Sequence, residues 1–129
     1  KVSFPFVALP ANYADERGAI QPLVEGSFSA LQIITSKKDT VRANHYHKAD
    51  THHMYVVSGV MRYYYRPVGS TEAPAFVDVK AGEMVFTPSN EEHAVHFLED
   101  SAFLNITTGE RDQSTYEDDI VRIDLFSLN

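Results

Sequence analysis

The sequence has 129 residues, a hydrophobic content of 43% and no cysteine, so it is long enough to bury a core and must fold without disulfide bonds. Its formal net charge of -7 argues against nucleic acid or an anionic membrane as the main partner, because either would require a basic face. No apolar run approaches the roughly 18 residues of a membrane span, and the first residues lack the pattern of a signal peptide. We therefore expect one cytoplasmic domain, residues 1–129.

Short strand-like segments separated by turn signals follow one another along the chain. Residues 1–28 mix apolar residues with prolines and contain a polar turn at 15–18, which is typical of an N-terminal arm. Segments rich in β-branched and aromatic residues then predict eight strands: 29–35, 40–47, 52–57, 60–66, 76–79, 84–87, 93–98 and 102–107. In the polar tail, 108–129, we favour a last strand over a helix at 118–125. This pattern, without a helical period, indicates an all-β antiparallel sandwich or barrel.

Histidine is concentrated in two short stretches of the sequence. The six residues are His45, His47, His52, His53, His93 and His96. Strand alternation puts His45 and His47 on one face, and it puts His52 and His53 on opposite faces. We expect His53 and His96 to point outward. Imidazole is the commonest metal ligand and is well suited to proton transfer near neutral pH, so the clusters predict a metal centre, an acid/base centre or both.

The spacing of these histidines resembles the two motifs of the cupin superfamily. The first motif is matched by His45, His47, His52 and Gly59. The second is matched by Gly82, Pro88 and His93, with Asn90 and Phe97 in place of the usual glycine and asparagine. The resemblance covers residues 40–107. It implies a single-domain jelly-roll β-barrel, or double-stranded β-helix, with the histidines pointing into its mouth.

The main departure from the family pattern is His52, which stands where the family usually has glutamate. The resemblance therefore implies four neutral imidazoles as metal ligands, with no carboxylate beside them: His45, His47, His52 and His93. Nitrogen donors suit a divalent transition metal such as Ni, Zn, Fe, Mn or Cu, and they do not suit Ca or Mg. We expect Met54 and Phe86 to line the substrate pocket.

A second resemblance points toward sugars. Asp15-x-Arg17-Gly18 and Arg42-x-x-His45-x-His47-Lys48 are similar to the RmlC-like cupins of nucleotide-sugar metabolism, the 3,4-ketoisomerases and 3,5-epimerases of dTDP-4-keto-6-deoxyhexoses. Those enzymes are generally metal-free. In them a histidine pair works as acid and base beside a ketone, and arginines hold the diphosphate. The matching positions here are His45, His47, Arg17 and Arg42, and a guanidinium group binds phosphate well because it can do so bidentately.

Tyrosines extend the set of candidate catalytic groups. Tyr63 and Tyr65 share a face opposite Tyr64, and either could protonate an enolate from the inner face. The acidic run 117–119 is interpreted as a solvated turn.

Taken together, these features predict a metal-binding cupin enzyme that acts on a small polar substrate, a sugar or nucleotide-sugar derivative, by isomerase- or epimerase-type proton transfer. The catalytic candidates are His47, Tyr63 and Tyr65. Three alternatives are open: a metal-free dTDP-keto-sugar isomerase or epimerase, an Fe-dependent dioxygenase, and a sugar-binding or sensor protein without catalysis. Because cupins commonly pair through edge strands, we also expect a homodimer.

Overall fold

The structure is a computed structural model that describes residues 2–108 and 117–128. Within these residues the chain forms eleven strands: β1 (Tyr13–Asp15), β2 (Gly18–Ile20), β3 (Ala30–Ser36), β4 (Val41–His47), β5 (His52–Ser58), β6 (Val60–Pro67), β7 (Ala75–Lys80), β8 (Met84–Thr87), β9 (Glu91–Phe97), β10 (Ser101–Thr107) and β11 (Ile120–Arg122). The eight strands predicted between residues 29 and 107 are confirmed, and they correspond to β3 to β10.

The two ends of the chain differ more from the prediction. The polar turn at 15–18 joins β1 to β2 in a short hairpin. Each strand has only three residues, which is too short to show the alternation of apolar and polar residues that predicts a strand. In the tail, the strand predicted at 118–125 is limited to β11, and residues 109–116 lie outside the described part of the chain.

Two antiparallel sheets form the body of the fold. The four-stranded sheet has the order β3–β10–β5–β8, the five-stranded sheet has the order β11–β4–β9–β6–β7, and β1 and β2 form a separate pair. The predicted all-β antiparallel class is confirmed. The pairings among the described strands do not close the sheets into a barrel, so the jelly-roll barrel stays a prediction. No helix in residues 2–108 and 117–128 is long and apolar enough to cross a membrane.

The hydrophobic core lies between the inner faces of the two large sheets. Its buried members come from both sheets: Met54, Val56, Met61, Tyr63, Val79, Val85, Val95, Phe97 and Phe103. Phe97 of one sheet stacks on Phe103 of the other, with ring centroids 5.9 Å apart. Full burial of a side chain of this size contributes roughly 1.5–3 kcal/mol, so packing between the sheets is the main source of stability in a chain without disulfides.

The inner faces that carry the core also carry the histidines, because side chains alternate along a strand with a period of two. On β5, His52 lies on the same face as the buried Met54 and Val56 and comes before them in the chain. On β9, His93 lies on the same face as the buried Val95 and comes before it. The histidines therefore lie at one end of the apolar core, between the sheets.

His53 and His96 lie on the outer faces of the sheets, as predicted. His53 packs on Phe86 with ring centroids 4.8 Å apart. The His96 Nε2 atom lies 3.1 Å from the exposed carboxylate of Asp39. Both side chains therefore lie on the faces opposite to those that carry His52 and His93.

A substitution at Gly59 tests the packing at the turn between β5 and β6. Gly59 has φ +86°, and an added Cβ would lie 2.5 Å from the Asp100 carbonyl oxygen and even closer to the Ser101 hydroxyl. Gly59→Ala combines left-handed backbone strain with a clash, so we expect it to lower the free energy of unfolding by about 2–4 kcal/mol in urea denaturation.

Gly69→Ala is the matched control, because Gly69 has φ +92° and open space around its added Cβ. We expect this control to lose only about 1–2 kcal/mol, from backbone strain alone. Equal losses in the two variants would contradict the assignment of a close contact at Gly59.

Candidate functional site

Four histidines from three strands meet between the two sheets. All four are at least nine-tenths buried, with exposed fractions of 0% for His47, 3% for His93, 7% for His52 and 8% for His45. The pairing of β4 with β9 places His45 opposite His93, and their ring centroids are 4.8 Å apart. The His47 ring lies 4.8 Å from that of His45 and 4.3 Å from that of His52. The structure thus brings together all four histidines that the sequence predicted as a group.

A carboxylate that the sequence analysis did not identify orients His47. The His47 Nδ1–H group donates to Asp119 Oδ2 at 3.2 Å, because a carboxylate oxygen can only accept. This hydrogen bond fixes the tautomer, in which Nε2 is the unprotonated ring nitrogen. Burial is the main reason that the pKa of His47 is lowered to about 4, with a further contribution from His52. The imidazole is therefore neutral at pH 7.

Asp119 itself is held in place by the backbone that follows β4. Its Oδ1 accepts from the Ala49 N–H at 2.8 Å, its Oδ2 accepts from the Asp50 N–H at 3.2 Å, and its own carbonyl accepts from the Lys48 N–H at 2.9 Å. The interpretation of the run 117–119 as a solvated turn is wrong at Asp119. The reason is tertiary, since β11 pairs with β4 and brings this carboxylate beside His47.

His93 is also fixed by a hydrogen bond to its outer ring nitrogen. Its Nδ1–H group donates to the Glu91 carbonyl oxygen at 3.0 Å. Burial, and then the neighbouring His45, lower the pKa of His93 well below its usual value, so that its imidazole is neutral as well. The carbonyl contact orients the ring and leaves Nε2 unprotonated, as is common for histidines that bind a metal.

His52 is held differently, between two oxygens. Its Nδ1 lies 3.1 Å from Asn105 Oδ1 and its Nε2 lies 3.3 Å from Asp50 Oδ2. Asp50 is buried, with 6% exposure, and its other carboxylate oxygen accepts from the N–H groups of Thr51 and Thr108. Both ring nitrogens of His52 therefore face acceptors that belong to the protein.

The ligand atoms divide into two overlapping groups rather than one set of four. One group joins His45, His47 and His93, and the other joins His47, Asp50 and His52; within each group the candidate ligand atoms lie within 4.8 Å of one another. The expectation that no carboxylate accompanies the histidines is wrong, because the loop after β4 places Asp50 against His52. The first group is the better fit for a transition metal, since two of its three imidazoles are already oriented by hydrogen bonds.

The two candidate tyrosines lie on the inner side of β6, and Tyr64 lies on the other. Tyr63 is fully buried, its hydroxyl is 2.6 Å from Thr87 Oγ1, and burial raises the pKa of its phenol. The Tyr65 ring stacks on that of Tyr63 at 5.7 Å, and β6 pairs Tyr65 opposite His93. The Tyr63 phenol is therefore held neutral near the histidines, and Tyr65 is the less enclosed of the two side chains.

Of the four predicted substrate contacts, the structure brings two to the histidines. Arg42 and Met54 line a cavity of about 190 Å³ whose wall also contains His45, His52, His93 and Asn105. The Arg42 guanidinium donates to Ser36 Oγ at 2.7 Å and to the Thr35 carbonyl at 3.0 Å. Arg42 also lines a larger cavity of about 690 Å³, whose wall includes Lys37 and Asp100.

The other two predicted contacts, Arg17 and Phe86, lie elsewhere. Arg17 is exposed on the β1–β2 hairpin and forms an ion pair with Asp15 at 2.7 Å. Phe86 lies on the outer face of β8, because its neighbours Val85 and Thr87 occupy the inner one. Strand parity places Phe86 on the face opposite Val85 and Thr87, but the sequence of so short a strand does not show which of its two faces is buried.

One further buried acid was not predicted from the sequence. Glu91 lies two residues before His93 on the same strand face, with 7% exposure. Burial raises the pKa of its carboxyl group, and its Oε2 atom has no hydrogen-bond partner among the described residues. No motif distinguishes Glu91 from the adjacent Glu92, which forms an ion pair with Arg66.

Comparisons with known proteins identify the fold. No protein-family model and no curated protein matches the sequence. A mutant of the 3,4-ketoisomerase QdtA from Thermoanaerobacterium thermosaccharolyticum, in complex with TDP-4-keto-6-deoxyglucose, matches with a TM-score of 0.72 and 16% identity, over 94% of this chain and 89% of that one. The epimerase RmlC from Legionella pneumophila, in complex with dTDP-4-keto-L-rhamnose, matches with a TM-score of 0.68 and 17% identity, over 82% and 67%.

A third structure agrees with these two. The 3'-monoepimerase ChmJ from Streptomyces bikiniensis, in complex with dTDP-quinovose, has a TM-score of 0.70 and 15% identity, over 84% of this chain and 65% of that one. The chain therefore shares the overall fold of these sugar ketoisomerases and epimerases, and the resemblance predicted from the histidine motifs is confirmed at the level of the fold.

The buried histidines predict how stability depends on pH. His47 and His93 are neutral when folded and take up protons more readily when unfolded, so the unfolded state binds more protons below pH 6.5. We expect the free energy of unfolding to fall as the pH decreases from 6.5 to about 4, by up to about 1.4 kcal/mol per pH unit for each histidine.

Urea denaturation at a series of pH values measures this dependence. His47→Gln should reduce the slope between pH 6.5 and 4, whereas His53→Gln, on the outer face, should reduce it less. A slope that is unchanged in His47→Gln would contradict the buried neutral state of this imidazole.

Proposed function

We propose that the protein is an isomerase or epimerase that moves a proton at a carbon next to the ketone of a nucleoside diphosphate keto-sugar, within a jelly-roll barrel. The observation that carries the proposal is the His47–Asp119 pair, which is the arrangement of a general base and the carboxylate that orients it. The fold neighbours support the substrate class, because their complexes contain thymidine diphosphate sugars.

In the proposed reaction His47 is the base. Its Nε2 lone pair accepts the proton as the C–H bond beside the ketone breaks, and the electron pair of that bond passes into an enolate. Asp119 stabilises the imidazolium that forms. Return of a proton to the same carbon from the other side inverts it. Where that carbon carries a hydroxyl, the enolate is equivalent to an enediolate: the hydroxyl proton passes to the former carbonyl oxygen, the abstracted proton returns to the former carbonyl carbon, and the ketone has moved by one position. Atoms and electrons balance in both outcomes without a redox partner.

The acid that completes the reaction is proposed to be Tyr65. A neutral phenol can protonate an enolate, and Tyr65 lies opposite His93 with less burial than Tyr63. Tyr63 is the weaker candidate, since its hydroxyl is already paired with Thr87 in the core. Arg42, on the wall shared with His45 and His93, is proposed to contact the diphosphate.

A second candidate function is binding of a divalent transition metal by His45, His47 and His93. Their candidate ligand atoms lie within 4.8 Å of one another, and neutral nitrogens of this kind suit Ni, Zn, Fe or Mn. When bound, such a metal would polarise a carbonyl as a Lewis acid. His47 cannot serve both functions at once, because one Nε2 lone pair either binds a metal or accepts a proton.

Deuterium exchange tests the main proposal. With dTDP-4-keto-6-deoxyglucose in D₂O, we expect the wild-type protein to incorporate deuterium beside the ketone, as followed by NMR. Asp119→Asn removes the acceptor that orients His47, so the exchange rate should fall by about 100-fold or more. Asp118→Asn, at the adjacent exposed carboxylate, is the control and should leave the rate unchanged. No exchange by the wild-type protein with this sugar or a related dTDP-keto-sugar would refute the proposal.

Zinc titration separates the two candidates. If His47 is the base, Zn²⁺ that binds at His45, His47 and His93 should inhibit exchange, and EDTA should restore it. If the protein instead requires a metal, EDTA should abolish the exchange and Zn²⁺ or Ni²⁺ should restore it. Calorimetry of metal binding, with His93→Ala as the variant lacking one ligand, measures the site without depending on activity.

A further inference from the structure

The strand that carries His45 and His47 is interrupted by a bulge just before the site. The register of β4 against β9 shifts between Ala43 and His45. Ala43 and Asn44 both have left-handed backbone conformations, with φ +72° and +58°. Asn tolerates this conformation better than most residues, whereas a left-handed Ala is strained. Something in the surrounding structure therefore has to hold the bulge.

The bulge changes which side chains share the inner face. In an unbroken strand, residues three apart point to opposite faces, so Arg42 and His45 would be separated. Here Arg42 pairs opposite Val95 and His45 pairs opposite His93, two residues apart on β9. Both side chains consequently line the same cavity of about 190 Å³. The extra residue in β4 is what puts the cation and the imidazole together.

The C-terminal segment holds the bulge through the side chain and backbone of Asn44. Asn44 Oδ1 accepts from the N–H groups of Leu125 and Phe126, each at 3.0 Å, and its Nδ2–H group donates to the Phe126 carbonyl at 3.0 Å. The Asn44 carbonyl also accepts from the Ile123 N–H at 2.9 Å. All four hydrogen bonds end on one short stretch of backbone, which we name the clamp (residues 123–126).

An aromatic contact fixes the clamp to the outer face of the five-stranded sheet. The Phe126 ring stacks on Tyr64 with centroids 4.3 Å apart and planes 15° apart, and it also stacks on His96 at 5.5 Å. The clamp continues directly from β11 and Asp119, which contact His45 and His47 through strand pairing and the carboxylate. One segment thus supports both histidines of β4 from the outside.

We propose that Asn44 is a positioning residue, which holds the β4 bulge against the clamp and so keeps His45 and Arg42 on the inner face together. Within the described residues, Asn44 is the only residue of β4 whose side chain both donates a hydrogen bond to the clamp and accepts hydrogen bonds from it. Its effect on turnover rests on the proposed function. Its effect on the histidine rings does not.

The test compares Asn44→Ala with Asp39→Ala. Both substitutions put alanine at a left-handed position, since Asp39 has φ +61°, and both remove side-chain hydrogen bonds. We expect both to lower the melting temperature, and Asn44→Ala to lower it further, because it removes three side-chain hydrogen bonds where Asp39→Ala removes one. Only Asn44→Ala should shift the ring ¹⁵N NMR signals of His45 and His47, and it should lower the turnover number at least 10-fold with a smaller change in KM. Ring signals that are unchanged in Asn44→Ala would overturn the proposal.

Asn44→Asp keeps the test decisive if Asn44→Ala does not fold. The carboxylate can still accept from the Leu125 and Phe126 N–H groups but cannot donate to the Phe126 carbonyl. We therefore expect ring signals closer to the wild type than those of Asn44→Ala and a turnover number between the two. Loss of exchange in Asn44→Asp with wild-type ring signals would refute the positioning role, because the damage would not pass through the histidines. If the wild-type protein shows no exchange, the proposed function fails and the ring signals alone decide the role of Asn44.

Discussion

The antiparallel pairing of β4 with β9 is the constraint on which the rest of the structure depends. It places His45 directly opposite His93. On its other edge β4 pairs with β11, which brings Asp119 to His47. The buried valines and methionines of the same inner faces fix the distance between the two sheets. Because the site is the polar end of the packed core, the packing of the core determines where its side chains lie.

The electrostatics of the site favour neutral imidazoles that carry their protons on the outer nitrogens. Burial penalises the charged form of His47 and His93, and each donates its Nδ1–H to an oxygen outside the cluster. What is left facing inward is unprotonated nitrogen. Such nitrogen is equally the starting state of a general base and of a metal ligand, and this is the physical reason that a histidine cluster alone does not distinguish the two chemistries.

The acidic partners distinguish this site from a bare set of four histidines. Asp119 makes His47 a stronger candidate base by fixing its tautomer, and Asp50 contacts the Nε2 atom of His52. The Nε2 atom of His52 thus contacts the Asp50 carboxylate, and His52 does not belong to the group formed by His45, His47 and His93. The division into two groups follows from these contacts, and it favours proton transfer at His47 over a four-histidine metal centre as the main proposal.

The sequence by itself determined the strands from β3 to β10 and the histidines that share their inner faces, because both depend on local alternation and spacing. It also determined that His53 and His96 lie on the outer faces of the two sheets. It could not show that Asp119 supports His47, since that contact joins residues 72 positions apart in the chain. Nor could it show that Arg42 and His45 share a face, because unbroken alternation predicts the opposite and the bulge at Asn44 is held by the C-terminal segment. Those features were decided by tertiary structure alone, where distant segments supply the hydrogen bonds that local sequence does not contain.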